Sequence, residues 1–591
     1  MSRCRIAPCV LALLLAYGCD GDELPDAGID ADVVDAGSSD AGADGSVAPM
    51  DAGGTDAGAT DAGAADAGAD GGMPPIGCVV TASPGSGATY YVSPTGSASN
   101  SGTSADAPFS LEHAFNVAAA GDTVHVLAGE YGPIHPVTAN SGTVDEPIRF
   151  LGYRVTPGDI ESAGGPTYRY GDSWDADAMP TLTGTWVDQE GEGTGIHVRG
   201  DFIQLENFQV RHYERGIVLN GNRSCARNVA ALETGDYNPL HTYPDPEPNA
   251  FLNYNGNGIV VEGEDHELRD AIVVDSGAQG ITLSRCDGCI VDHAEVHAVR
   301  TENPTDYYFL IGTESSNTRS TNITVHRHGA LRHGGHGICF KGTGAIENNV
   351  VDGFSIRNTK LELQFPGVAN NTVRNGEIII ESEGEYLNDS IGIALANGAH
   401  ENRFENIYSR GGGVYFRDWN DGLAGDVDDS SDGNVFVNLV VDSARFSVSF
   451  HPFGNGNFAS SADDNTFLHC TFYGGVWLFE NSRANSNTRF INCAFDSMER
   501  WTIERAGSPG YPLDVSFDHC NFADVGFDLP SGENLTEHPS GFVAPMSHDF
   551  ALSDASALID QGTDTDVEEG FDGATRPAGA GPDIGAFEHT P

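Results

Sequence analysis

Hydrophobic and polar residues alternate over short stretches of this chain, and the stretches recur at steps of 22 to 32 residues. Near the C-terminus, 467–472, 490–495 and 517–522 all read Phe-x-His/Asn-Cys-x-Phe. A looser form, an apolar residue two positions before Asn or Asp, extends upstream. Its pairs are Phe436/Asn438, Phe404/Asn406, Val373/Asn375, Ile290/Asp292, Leu268/Asp270 and Leu205/Asn207. Because Asn and Asp tolerate left-handed backbone, we expect a turn at this place in each repeat.

A second strand follows in most repeats and begins with Gly and a β-branched residue. These strands begin at Gly216, Gly258, Gly280, Gly337, Gly392, Gly413 and Gly475. Alternation directs their Ile, Val, Leu and Phe inward and the intervening residues outward. No helical pattern lies between the strands, and a propeller needs repeats of about 40 residues with four strands each. The pattern therefore predicts an all-β, single-stranded right-handed parallel β-helix, which is a solenoid.

The two ends of the repeat region resemble those of a known group of proteins. The run 90–131, with a short amphipathic helix near 111–119, is similar to the N-terminal cap of secreted right-handed parallel β-helix proteins of the pectate-lyase-like superfamily. The run 558–588 resembles their C-terminal segment. Caps are required because an open solenoid end exposes its core and a strand edge. The resemblance implies a β-helix over 77–545 with an N-terminal helix cap, and a C-terminal capping segment over 546–591.

Residues 1–19 have the composition of an export signal. Arg3 and Arg5 precede the apolar stretch 10–16, which is too short to span a bilayer. The stretch leads into Ala-Tyr-Gly-Cys19, which is similar to a bacterial lipobox although its Tyr departs from the usual small residue. The resemblance implies a lipid on Cys19, and the alternative is a plain signal peptide. We expect an exported cell-envelope lipoprotein, at the outer membrane or cell surface and facing outward, with the lipid as its only membrane anchor.

Composition separates residues 20–76 from the repeats. This segment repeats Asp-Ala-Gly and holds 14 acids and no base. It has little to bury and repels itself, so it is predicted to be a disordered linker. The whole chain carries 86 Asp+Glu against 29 Lys+Arg, a net charge of −57. Phosphate binding needs a basic footprint, which excludes a nucleic-acid partner. Such acidity suits solubility or divalent-cation binding.

The outward residues of the second strand form a ladder, since consecutive coils stack about 4.8 Å apart. Its pairs are Cys339/Lys341, Glu362/Gln364, Ala394/Ala396, Tyr415/Arg417, Ser449/His451 and Trp477/Phe479. A flat ladder with a small-residue gap between aromatic and cationic groups suits a polysaccharide. The predicted substrate-binding residues are Glu362, Gln364, His451 and Trp477. The alternative is chance clustering, because a long solenoid has dozens of outward positions.

Lys341 is the leading catalytic candidate. Its stretch, 336–344 followed by 348–354, resembles the lysine-bearing coil of β-helical polysaccharide lyases. The resemblance implies that Lys341 is a base that removes the proton α to a uronate carboxylate. One type of these lyases carries a Leu-Arg-His-Gly-like segment one coil on, where this chain has Leu-Glu-Leu-Gln-Phe-Pro at 361–366. Another type carries an Asp-Asp-Gly-Trp-like run there, which this chain lacks. Both departures put the activity in doubt.

The lyase reaction assigns roles to neighbouring residues. The base needs a lowered pKa, and the uronate carboxylate needs a cation. Arg417, two or three coils away, is expected to grip a neighbouring sugar, while His333, His336 and Tyr415 are candidates for protonating the leaving oxygen. The predicted catalytic set is Lys341, Arg417, Tyr415 and His336. The alternative is that Lys341 only forms an ion pair with Glu362 on a flat, open sheet.

An acidic loop is the best metal candidate. Asp428, Ser430 and Asp432, followed by Gly433, have the spacing of the first, third, fifth and sixth positions of a calcium loop. Leu439 stands where that loop has its bidentate Glu. Ca²⁺ is therefore the one expected cofactor, and a solvated acidic loop is the alternative.

The cysteines complete the predictions. Cys470, Cys493 and Cys520 share one place in their repeats, so they are expected to stack in one column as a buried, reduced ladder. Cys286 and Cys289 suit a local turn disulfide or two free thiols. For the whole chain we expect a monomer that binds an extracellular polysaccharide, with β-elimination of a uronate-containing glycan as the leading activity. The rival is a non-catalytic surface solenoid for carbohydrate binding, adhesion or envelope structure.

Overall fold

The structure of the 591-residue chain is a computed structural model. It describes residues 87–162, 164–187, 190–235, 256–299, 305–328, 335–381, 391–418, 430–452, 461–504 and 510–590. All described residues belong to one compact unit. The predicted signal segment with Cys19, and the predicted linker, lie outside them.

A long parallel sheet runs through the described part of the chain. Each strand pairs with the strand one coil further on, as Cys225–Thr234 does with Glu267–Ser276. The sheet has 21 strands: Thr89–Val92, Thr123–Leu127, Gly129–Glu130, Ile148–Tyr153, Pro180–Thr183, Ile203–Arg211, Cys225–Thr234, Glu267–Ser276, Ile290–Ala298, Arg319–Arg327, Val350–Arg357, Thr372–Ile379, Arg403–Arg410, Val435–Val437, Val440–Asp442, Thr466–Leu468, Thr471–Tyr473, Thr488–Ile491, Ala494–Asp496, Val515–Asp518 and Asn521–Ala523.

A second parallel sheet is formed by the strands that begin with the Gly-Ile pattern and their neighbours. It has 12 strands: Thr194–Val198, Arg215–Asn220, Asn257–Glu264, Gln279–Asp287, Tyr307–Gly312, His336–Lys341, Lys360–Gln364, Ile391–Ala396, Gly413–Asp418, Phe446–Pro452, Trp477–Asn481 and Arg500–Ile503. Because the chain alternates between the two sheets in each coil, the fold is the predicted parallel β-helix. We call the first the long sheet and the second the short sheet.

The remaining elements are small. Two further parallel pairs are Ile346–Glu347 with Val368–Ala369 and Ala462–Asp463 with Asn485–Ser486. Two antiparallel pairs are Trp186–Val187 with Glu190–Gly191 and Phe542–Ala544 with Asp549–Leu552. The described helices are the α-helix Leu111–Val117 and the 3₁₀ turn Pro545–Ser547. Neither is long and apolar enough to cross a membrane.

The predicted turn in each coil is a single left-handed residue. Five residues have φ between 51° and 64°: Asn207, Asp270, Asn375, Asn406 and Asn438. In the coil of Ile290 and Asp292 the prediction was wrong by one residue. Val291 pairs with Leu268, so His293, with φ 53°, takes the turn position. Residues with a short polar side chain adopt this backbone at low cost, which explains why the pattern could be read from sequence.

Inward side chains stack from coil to coil. Successive rings of Phe404, Phe436, Phe467, Phe490 and Phe517 have centroids 4.5–5.2 Å apart. The column of Cys470, Cys493 and Cys520 is confirmed: the backbone N–H groups of Cys470 and Cys493 each donate to the next sulfur at 3.4 Å. All three are buried and free, as are Cys286 and Cys289. Burial raises the pKa of Cys493 and Cys520 well above the ordinary thiol value.

A ladder of buried asparagines, which the sequence reading missed, runs along one corner of the coils. Its rungs are Asn349, Asn371, Asn402, Asn434 and Asn465. The side-chain NH₂ of each of the first four rungs donates to the Oδ1 of the next rung at 2.9–3.2 Å. The backbone N–H of each of these four donates to the same oxygen at 3.0–3.1 Å. Every rung after Asn349 therefore satisfies two buried donors of the rung before it, which fixes the register of neighbouring coils.

Both ends of the solenoid are covered. The helix Leu111–Val117, slightly shorter than predicted, buries Phe115, whose ring stacks on Phe150 at 4.0 Å. The predicted capping segment 546–591 packs on the side of the late coils: Arg576 Nη1 donates to Asn438 Oδ1 at 2.9 Å. At the last coil, the apolar residues that pack against the core precede the segment 546–591. They are Val525, Phe527, Leu529 and Leu535.

Candidate functional site

The outward residues of the short sheet form two columns, as predicted, over five neighbouring strands. One column is Cys339, Glu362, Ala394, Tyr415 and Ser449, and the other is Lys341, Gln364, Ala396, Arg417 and His451. The register holds because each of these strands keeps strict alternation after its first residues.

The outward placement of Phe479 was wrong. Phe479 pairs with Val448, which faces the core, while Glu480 pairs with the outward Ser449. Leu478 and Phe479 are both buried, so alternation is interrupted there. Trp477 pairs with Phe446, three residues before the column residue Ser449, and Arg500 lies over its ring at 4.9 Å. The structure thus places Trp477 beside the predicted ladder and brings in Glu480 instead.

The columns are not the flat, open ladder that was expected. Their side chains point away from the core, yet Glu362, Gln364, Ala396 and His451 are at most 1% exposed and Arg417 is 4% exposed. Lys341 is half-buried. Burial of so many polar groups requires that they pair with one another. The roles of Glu362, Gln364 and His451 in direct sugar contact remain predictions.

Glu362 is the centre of an ion-pair cluster. Lys360 Nζ lies 3.1 Å from Glu362 Oε2, and His336 Nδ1 contacts the same oxygen. Burial alone would raise the pKa of Glu362, but Lys360, His336 and Arg417 hold it well below its ordinary value. One strand separates Arg417 from Glu362, and its outward residues are Ala394 and Ala396. The predicted small-residue gap therefore places no large side chain between the guanidinium and the carboxylate.

His336 lies between two carboxylates. Its Nδ1 meets Glu362, and its Nε2 is 3.6 Å from Asp306 Oδ1. The ring is buried and stacks on Tyr307, with centroids 4.9 Å apart and an interplanar angle of 13°. A histidine held this way is oriented by its neighbours, which is a positioning role.

Lys341 occupies the accessible side of this cluster. Its Nζ donates to Tyr307 Oη at 2.7 Å. The same ammonium lies over the rings of Tyr307 and Phe365, 5.1 and 5.6 Å from their centroids. Aromatic faces attract a cation, so the two rings hold Lys341 in one position. We call Asp306, Tyr307, His336, Lys341, Lys360 and Glu362 the lysine cluster.

A simple count in the sequence marks this site. The chain has 29 Lys+Arg, of which only Lys341 and Lys360 are lysines. They lie on adjacent strands of the short sheet, and both belong to the lysine cluster. Arginine cannot be deprotonated in proteins, whereas lysine can. The sequence reading singled out Lys341 but missed Lys360, Tyr307 and Asp306, and this count would have found Lys360.

The far end of the columns holds a second polar group. Glu480 Oε2 accepts a hydrogen bond from Ser449 Oγ at 2.6 Å, and His451 Nδ1 lies 3.2 Å from Glu480 Oε1. The ring of Tyr415 is 6.4 Å from that of His451 and is buried. The structure therefore brings Tyr415 together with His451 and Glu480, and places Lys341 and His336 in the other group.

The predicted calcium loop is described only in part. Asp428 and most of the acidic loop that contains it lie outside the described residues. His333 lies outside them as well. Asp432 Oδ1 accepts the backbone N–H of Asp463 at 2.8 Å, and Ser430 Oγ lies 3.3 Å from Ser461 Oγ. Both groups thus link one coil to the next. Calcium bound by Asp428, Ser430 and Asp432 remains a prediction.

No protein-family model and no curated protein matches the chain. Solved structures with a similar fold do exist. Pectate lyase Pel9A is 16% identical, with 85% of this chain and 96% of that chain covered, at a TM-score of 0.31. Alginate lyase AlyF-OU02 is 13% identical, covering 80% and 89%, at 0.43. The catalytic domain of a GH87 α-1,3-glucanase bound to nigerose is 10% identical, covering 66% and 63%, at 0.42. At these identities and TM-scores the matches carry no argument about activity.

Proposed function

We propose that the protein binds an extracellular polysaccharide at the lysine cluster and cleaves a uronate-containing glycan by β-elimination. One observation carries the proposal: the two lysines of the chain lie side by side, one against Glu362 and the other against Tyr307. An amine that can lose its proton, a phenol and a nearby cation are the groups that this reaction needs.

The accessible members of the cluster can perform the reaction. The Lys341 ammonium first loses one proton to solvent, and the resulting neutral amine removes the proton on the carbon next to the uronate carboxylate. A carbon–carbon double bond forms as the bond to the leaving sugar oxygen breaks, and Tyr307 gives its proton to that oxygen. The Lys341 ammonium then returns a proton to Tyr307 across their 2.7 Å contact. The net change is one proton moved from carbon to oxygen, so the cluster is restored.

Lys360 and the buried residues have supporting roles in this scheme. The Lys360 side chain is 16% exposed and offers a cation to the substrate carboxylate. Such charge stabilises the enolate that develops during the reaction. His336, Glu362 and Arg417 have almost no exposed surface, so we assign them to positioning. Tyr307 replaces the buried Tyr415 and His336 as the proposed acid, because its hydroxyl contacts Lys341.

A pair of lysine substitutions tests the proposal. The purified protein is incubated with polymannuronate, polyguluronate, polygalacturonate and a neutral glucan, and the ultraviolet absorbance of the unsaturated uronate is followed. Lys341→Arg keeps the positive charge but removes the base, so turnover should fall by at least about 100-fold while binding remains. Lys360→Arg is the matched control and should lose less than about tenfold, since charge alone is required there.

The outcomes separate catalysis from binding. Equal loss in the two variants would mean that Lys341 acts only through its charge, and the base assignment would fall. Retention on an immobilised uronate polymer without product from any member of the panel would favour a non-catalytic binding solenoid. The burial of His336, Glu362 and Arg417 is the observation that favours this second function.

We also propose that the protein is exported and anchored through a lipid on Cys19, with residues 20–76 as a spacer. The support is the sequence pattern of signal, Cys19 and Asp-Ala-Gly repeats. A surface glycan is a large polymer outside the cell, so a tethered β-helix would meet it where it occurs.

A further inference from the structure

Three histidines meet on the long sheet, which does not carry the lysine cluster. His297, on strand Ile290–Ala298, stands directly opposite His326 on strand Arg319–Arg327. His328 follows two residues later, just beyond the end of that strand. One ring nitrogen from each of the three lies within 4.8 Å of the others.

Two of these rings face each other through nitrogen atoms. His297 Nδ1 is 3.1 Å from His328 Nε2. The other nitrogen of His297, Nε2, is 3.2 Å from Glu295 Oε2. A carboxylate accepts a proton donor, so Nε2 carries the proton and Nδ1 presents a lone pair toward His328. Histidines that bind metals in proteins are commonly held by a carboxylate in this way.

We propose that His297, His326 and His328 bind a divalent transition metal of the Zn²⁺ class, with Glu295 holding His297 in the required tautomer. Zinc–nitrogen bonds of about 2.0–2.1 Å in a tetrahedral site put ligand nitrogens roughly 3.3 Å apart. The 3.1 Å between His297 and His328 is close to this value. Since the three nitrogens lie within 4.8 Å of one another, His326 has to approach by at most a further ~1.5 Å to complete a site of this size.

The surroundings hold the rings together and balance their charge. Tyr170 stacks on both His297 and His328, with centroids 4.5 and 4.2 Å away. Two nearby cations are paired with acids: Arg169 lies 3.7 Å from Glu295, and Arg357, which pairs in register with His326, lies 3.0 Å from Glu377. A metal cation therefore meets no unpaired positive charge among these neighbours.

A cleft adjoins the site. It has a volume of about 340 Å³, and Glu295, Asn322, Thr324 and Ser355 contribute to its lining. Three histidines leave one tetrahedral position for water or an oxygen ligand from the cleft. Neutral imidazole favours Zn²⁺, Ni²⁺ and Cu²⁺ over Ca²⁺ and Mg²⁺, which prefer oxygen. This predicted selectivity separates the site from the calcium loop.

Metal titration of the chelator-treated full chain tests the proposal. Calorimetry with Zn²⁺ should give one site per chain, and Ca²⁺ and Mg²⁺ should not compete for it. Because the chain has 20 histidines, the site must be located by substitution. Replacing His326 and His328 together with Asn should abolish this site, whereas His400→Asn, at a histidine remote from it in the fold, should leave it intact. Glu295→Gln should weaken binding by about 10- to 100-fold at unchanged stoichiometry.

A second measurement on the unmodified protein guards against a variant that fails to fold. Bound Zn²⁺ should protect His297, His326 and His328 from diethyl pyrocarbonate, read by mass spectrometry, and Co²⁺ should give the visible spectrum of a tetrahedral site. The proposal is overturned if Zn²⁺ does not bind, if protection falls on other histidines, or if the His326/His328 variant binds as the native chain does.

Discussion

At the scale of single residues, Glu362 is the side chain on which the charged groups of the lysine cluster converge. It is fully buried and is paired with Lys360 and His336. Removing one partner of a buried ion pair strands the other charge without solvent. Lys360, His336 and Arg417 all act on this one carboxylate, so Glu362 is a determinant of stability even though we give it no chemical step.

Glu362→Gln should lower the free energy of unfolding by about 3–5 kcal/mol, measured by urea denaturation at neutral pH. Glu381→Gln is the matched control: its side chain is 60% exposed beside Arg410, and its loss should cost at most about 1 kcal/mol. If both variants lost a comparable free energy of unfolding, the buried ion pairs of Glu362 would not be the cause of the effect.

The same variant makes a prediction for pH. The pKa of Glu362 lies well below its ordinary value of 4.5, so the native state favours the charged carboxylate. Its contribution to stability is fully present above about pH 4.5 and is lost as pH falls toward the depressed native pKa. The stability difference between native chain and Glu362→Gln should therefore be constant at higher pH and shrink in acid.

At the scale of strands and coils, the asparagine ladder explains how neighbouring coils keep register. Each Oδ1 accepts two buried donors from the preceding rung, for example from Asn371 at Asn402. A slip of one residue would leave both donors unpaired, in addition to turning the hydrophobic face outward.

Asn402→Ala should lower the free energy of unfolding by about 2–6 kcal/mol, because two buried donors of Asn371 lose their acceptor. Asn406→Gly is the control from the same coil: it removes a more exposed amide yet keeps a residue that tolerates φ near 52°. The free energy of unfolding of that control should stay within about 1 kcal/mol of the native value. If urea midpoints fell equally in both, the buried ladder would not be what sets coil register.

The elements also show how far the sequence could be read. Period-two alternation and left-handed Asn residues are local signals, so the coils and the outward columns up to His451 were predictable. Alternation fails at Leu478 and Phe479, which are both buried, and no local signal marks such an interruption. Tyr307 was missed because its strand, Tyr-Tyr-Phe-Leu-Ile-Gly, lacks the starting Gly and reads as apolar throughout. Burial of the outward columns depends on tertiary packing, which cannot be predicted from the sequence of a single strand.

At the scale of the whole molecule, the fold should be independent of the segment that precedes it. Limited proteolysis should cut rapidly within residues 20–76 and leave a resistant core that begins near residue 77, because the Asp-Ala-Gly repeats have little to bury. On intact membranes the same treatment should release this core into solution, and Cys19→Ala should be soluble without protease. Protected amides within the repeats, or membrane retention of Cys19→Ala, would count against the tether.

The two lysines have a consequence for labelling chemistry. Every ε-amine of the chain belongs to Lys341 or Lys360, so an amine-reactive reagent that leaves the N-terminus alone can modify the protein only at the lysine cluster. Acylation would therefore report directly whether the cluster is free or covered by a bound glycan. A lysine-specific protease would likewise cut at two bonds and release the 19-residue peptide 342–360. Attaching this protein to a surface through its ε-amines would likewise block the lysine cluster.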